Sequence, residues 1–150
     1  MSRLLFAAFA ALSVFVGCCS SPCTIDPPQS TSDRDTGTAI KLAAELEQLP
    51  AEGELTLDFK NTSKVAFQEL DDKNAALLLL LRAIKCYLEE GEVGQDIARS
   101  LAEEAKEEFA GAIGMRGGDG ATISRAERRY IQQSDLSGEI LDTFEALGIE

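Results

Sequence analysis

Residues 75–90 read AALLLLLRAIKCYLEE, and the reading of this stretch decides the fold. Leu77, Leu78, Leu79, Leu80, Leu81, Ala83, Ile84, Cys86, Tyr87 and Leu88 leave only Arg82 and Lys85 to interrupt the apolar surface. A helix built from them is hydrophobic nearly all round, so it is either a core element wrapped by other helices or a membrane span. The uninterrupted apolar run covers only Ala75 to Leu81, far short of the ~20 residues a span requires. The stretch therefore reads as a core helix, with Asn74 as its cap.

Helices to surround it are legible on both sides. After Gly91 and Gly94, the residues Val93, Ile97, Leu101, Ala105, Phe109 and Ile113 recur every four positions, while Glu103, Glu104, Glu107 and Glu108 hold the opposite face. That is an amphipathic helix. Gly111, Gly114, Gly117, Gly118 and Gly120 mark a flexible loop, after which Ser124 and Glu127 have capping-box spacing and start a helix running to about Gln133. A last helix carries Leu136, Ile140, Leu141, Phe144 and Leu147, with Gly148 placed for a left-handed C-cap and Ile149 for the apolar contact back to Phe144.

Upstream, Leu55, Leu57 and Phe59 alternate like a strand, but Leu55, Phe59, Thr62, Ala66 and Leu70 continue a helical stripe, and a lone strand would have no partner. A helix over 55–70 is predicted. Ile40, Ala43, Ala44 and Leu46 predict another over 38–49, stopped by Pro50. The sum is an all-α fold, an irregular bundle of five or six helices around the Leu-rich one, with no internal repeat.

The formal net charge is −12, which argues against nucleic acid and against broad contact with an anionic lipid surface. Histidine is absent, so imidazole bases, the usual zinc ligands and serine or cysteine protease dyads are unavailable. No catalytic residue, cofactor or metal site is predicted. The glycine loop lacks a preceding strand and a GK[ST] ending, and with Glu127 as twelfth ligand a calcium loop would place Arg116, Gly118 and Gly120 where oxygen ligands belong. The glutamate face reads first as a solvated helix surface, with weak cation or basic-partner binding as its sharper alternative. The reverse patch is Arg125, Arg128 and Arg129 with Tyr130, the candidate binding residues. It either docks on the glutamate face or meets an acidic protein or lipid headgroups.

The first 23 residues, MSRLLFAAFAALSVFVGCCSSPC, carry an address. Arg3 gives a positive start, and Leu4 to Val16 form an uncharged segment suited to the hydrophobic region of an export signal. Phe15-Val16-Gly17-Cys18 places a small residue directly before a cysteine, an arrangement that resembles the lipobox of bacterial lipoproteins, with Cys19 as a second register. The resemblance implies cleavage before Cys18, lipidation of Cys18 and anchoring in a membrane of the cell envelope. With Cys19 at +2 and Ser20 at +3 it further implies sorting to the outer membrane, facing the periplasm of a Gram-negative host.

Ser20 to Thr36, with Pro22, Pro27, Pro28 and seven Ser or Thr, reads as a tether too polar to order itself, reaching roughly 20 to 25 Å. The expected organisation is thus a signal peptide over 1–17, an attachment site and flexible tether over 18–36, and a helical domain over 37–150. Of the cysteines, Cys86 reads as a small buried hydrophobe, and Cys19 or Cys23 as able to bridge in an oxidising compartment. The function expected is a non-catalytic protein-binding module. An envelope spacer or assembly subunit, and a carboxylate-based envelope hydrolase or lyase, are the alternatives.

Overall fold

The computed structural model describes residues 23–29, 33–49, 55–115 and 119–150. Among them are six helices and no strand: α1 (Asp33–Gln48), α2 (Leu55–Glu69), α3 (Lys73–Glu89), α4 (Gln95–Ala112), α5 (Arg125–Gln132) and α6 (Ser137–Ala146). The all-α bundle expected from the sequence is the fold. Its centre is α3, which packs most extensively on α4 and also on α6, α1 and α2; α2 leans on α4 as well, and α5 on α6.

The physical reason is the one the leucines announce. Leu77 to Leu81, Ala83, Ile84 and Tyr87 are all fully buried, so every face of the helix needs a neighbour. One stripe escapes. Arg82, Lys85, Cys86 and Glu89, spaced as i, i+3, i+4 and i+7, share a side of α3 that none of its helix neighbours buries completely.

The helical reading of α2 prevails over the strand one for a visible reason. Phe59, Ala66 and Phe67 are buried, whereas Leu57, which a strand would have turned inward with Leu55 and Phe59, is 51% exposed. Phe67 in turn meets Phe109 of α4 at a ring-centroid distance of 6.1 Å.

Two boundaries differ from expectation. The cap of α3 is Asp72, not Asn74: its carboxylate accepts from the amides of Asn74 at 3.0 Å and Ala75 at 3.1 Å, and the helix starts a turn's fraction earlier. Asn74 is instead buried, its side-chain amide turned toward the Tyr130 carbonyl at 3.5 Å. Helix α1 begins at Asp33 and runs through Gly37, because the buried Asp35 carboxylate accepts from the amides of Asp71 at 3.2 Å and Asp72 at 3.1 Å. A contact between residues 36 and 37 positions apart stabilises a helical turn that local propensity alone would have left out.

The helix ends are more regular. Gly91, Gly114 and Gly148 hold positive φ of 75°, 70° and 83°. Each is followed by a residue whose amide returns to the carbonyl five positions back: Glu92 to Tyr87, Met115 to Ala110 and Ile149 to Phe144, all at 2.9 Å. With the bonds of three-residue span from Gly91 to Leu88, Gly114 to Gly111 and Gly148 to Glu145, three Schellman motifs close α3, α4 and α6. The capping box of α5 is complete, and Ile149 is buried as its position after Gly148 requires.

Candidate functional site

Cys18, the expected attachment point, lies outside the described residues. The chain beyond it is not a free tether along its whole length. Cys23, Ile25 and Pro28 are buried, and Cys23 is bonded to Cys86 across 63 residues, with the Cα atoms 5.5 Å apart. Cys86 is therefore a disulfide partner rather than a small buried hydrophobe. The strap over 23–29 lies along the open stripe of α3. Arg82 donates from Nη1 to the Asp26 carbonyl at 2.8 Å, and the Ile25 amide donates to Glu47 Oε1 at 2.8 Å.

The energies show what the disulfide does. Burying Ile25 contributes about 2 kcal/mol, and the two hydrogen bonds about 1 to 1.5 kcal/mol each. Ordering seven residues costs about 7 kcal/mol even at the low end, eased only where Pro27 and Pro28 already fix φ. Noncovalent contact alone leaves the strap unfavourable or even; the covalent link decides for docking. The tether reading of 20–36 is corrected over 23–29 and, because α1 begins at Asp33, over 33–36. The polar composition of the strap does not order it; a bond to another element does.

Arg82 also holds α6. Its Nε and Nη2 donate to Glu139 Oε1 and Oε2, both at 2.7 Å, a bidentate pair across 57 residues. The hydrogen bonds from Arg82 hold the Glu139 carboxyl below its ordinary range, against a smaller opposing effect of burial. The same hydrogen bond raises the guanidinium in return. Strap, α3 and α6 thus meet at one side chain, beside a cavity of about 290 Å³ that Cys86, Lys85 and Glu89 also border.

The glutamate face forms one wall of a larger cleft of about 650 Å³ between α4 and the loop after it. Glu104 pairs with Lys60 at 3.7 Å and Glu103 with Arg99 at 3.4 Å, so part of its charge is met by cations of the bundle itself. Among the described residues no three Cys, Asp or Glu side chains converge as metal ligands. At the cleft's base Lys106 is only 2% exposed. Its ammonium donates to the carbonyls of Thr122 at 2.8 Å and Asp119 at 3.1 Å, and stands 4.0 Å from Glu127 Oε2. Glu127 is wholly buried, and its Oε2 also accepts from the Ser124 amide at 2.8 Å. This pair bolts the end of the glycine-rich connection to α4. It was detectable in the sequence, since Lys106 stands four residues after Ala102 and three before Phe109, on the buried stripe of α4.

Arg125, Arg128 and Arg129 lie on α5, the first and last exposed and Arg128 half-buried. Among the described residues none of them makes an ion pair, so the patch does not dock on the glutamate face there; Arg128 borders a small groove with Asp142 and Glu145. Tyr130 faces another way. Its ring stands edge-on to Phe109 at 5.7 Å, so it anchors α5 to the core while Arg125 and Arg129 stay exposed. No family model matches the chain, and no match emerges among curated proteins or solved structures.

Proposed function

We propose that this protein is a bacterial lipoprotein of the cell envelope, anchored through Cys18, whose helical domain binds an acidic protein through Arg125, Arg128 and Arg129. The observation that carries the binding role is that three guanidinium groups on two turns of one helix make no ion pair among the described residues, in a chain of net charge −12. Elsewhere the bundle pairs Lys60, Arg82, Lys85 and Arg99 with its own glutamates. A positive patch within a negative surface steers an acidic partner to one face and repels it from the rest. Export is supported by the Cys23–Cys86 bond, a linkage that persists in oxidising compartments.

The test has two arms. Mass spectrometry of the mature protein is expected to show several acyl chains that vanish in Cys18→Ala; an unmodified mature chain refutes anchoring. In cross-linked envelopes, a variant carrying Arg125→Glu, Arg128→Glu and Arg129→Glu should lose at least tenfold of its captured partner while keeping wild-type helicity. A captured set identical to that of a tethered, unrelated control refutes the binding role.

A further inference from the structure

We propose that the Cys23–Cys86 disulfide is a reducible latch that sets how far the helical domain reaches from its point of attachment. Cys23 is 4% exposed, whereas Cys86 is half-buried and borders the cavity shared with Arg82 and Lys85. Cys86 is therefore the more exposed half of the bond, and it borders a cavity whose two cations, Arg82 and Lys85, are paired with Glu139 and Glu89. The reductant is a dithiol. Its thiolate attacks the Cys86 sulfur, forming a mixed disulfide and breaking the bond to Cys23, which leaves as a thiolate and takes a proton from water. The second thiol of the reductant, deprotonated, then closes the reductant's own disulfide and releases Cys86, which is protonated likewise. Two electrons and two protons pass to the protein, and the dithiol becomes a disulfide.

With the bond gone, the strap keeps only the burial of Ile25 and Pro28 and the two hydrogen bonds to Glu47 and Arg82, too little to hold it. The number of residues between position 18 and the first one held by the bundle changes accordingly. Latched, the link from residue 18 ends at Cys23 and spans at most about 18 Å; unlatched, it ends at Asp33, fifteen residues on, and spans at most about 54 Å. The membrane consequence rests on anchoring at Cys18, but the latch itself does not.

Hydrogen exchange on the full mature protein in detergent, oxidised and after dithiothreitol, tests the latch. The Ile25 amide, which donates to Glu47 in the docked strap, should exchange within the shortest labelling time once reduced, at least tenfold faster than before, while α3 and α4 stay protected over that interval. Cys86→Ser should behave so without reductant. A strap that stays protected after thiol counting shows full reduction overturns the latch, as does loss of protection by strap and helices together. In phosphatidylglycerol–phosphatidylcholine vesicles, energy transfer from a donor at Gln132 to labelled headgroups should fall on reduction of the wild type. Unchanged transfer from a vesicle-bound, reduced protein overturns the change in reach. A protein that does not bind vesicles refutes anchoring instead, and leaves the exchange result to judge the latch.

Discussion

Lys106 and Glu127 carry opposite charges into the packed base of the cleft beside α4, and each has a second duty there. Lys106 serves two loop carbonyls, and Glu127 the amide that opens α5. Lys106→Met removes the ammonium but keeps the stem, leaving a buried carboxylate without its counter-charge and the Thr122 carbonyl without the ammonium's bond, while the Asp119 carbonyl keeps the Thr122 amide as donor. Breaking such a buried pair typically costs about 3 kcal/mol. Urea melts should show that loss, and the double variant with Glu127→Gln should recover part of it; a single variant within about 0.5 kcal/mol of wild type would contradict the placement. The Arg82–Glu139 pair acts differently because it is partly exposed. Glu139 is depressed in the folded state, so its contribution is full above the unfolded carboxylate range and is lost as pH falls below about 4. Arg82→Met should flatten that acid limb by less than about 1 kcal/mol, read from urea midpoints between neutral and acid pH.

Each helix states its own requirements. In α3 the leucines have neighbours on every side, so Leu79→Ala opens a cavity that the packed bundle cannot close and should cost about 3 to 5 kcal/mol. Gly148 is constrained by conformation rather than by space, since an added Cβ would come no nearer than 3.7 Å to Arg99 while φ stays at +83°. Gly148→Ala should therefore cost about 1 to 2 kcal/mol without any clash, and thermal melts of the two variants should rank them in that order. These elements were legible because their causes are local. The apolar run of α3, the four-residue period of α4, the Ser124–Glu127 spacing and the Gly148–Ile149 ending each contain their own explanation. Asp35 was not legible in the same way. Its role is to accept amides from a turn more than thirty residues on, and nothing in its neighbourhood announces that turn.

At the scale of the molecule the Cys23–Cys86 bond closes a loop of 63 residues, and the loop-entropy relation assigns it about 4 kcal/mol. Cys23→Ser should lower the unfolding free energy by roughly that amount in urea, as should reduction of the wild type; equal stability of oxidised and reduced protein would show that the bond constrains nothing. The sequence showed four cysteines but not which would meet, because pairing depends on the path of the strap along the stripe of Arg82, Lys85, Cys86 and Glu89. The arginine patch was visible as charge, yet the division of labour between its exposed Arg125 and Arg129 and the inward ring of Tyr130 needed the position of Phe109. The burial of α3 on every side but one stripe has one more consequence, for descent. A helix with almost no outward face offers neutral drift nowhere to accumulate, so as copies of this gene diverge, the string from Ala75 to Tyr87 should outlast the rewriting of its neighbours and be the part by which distant kin are known.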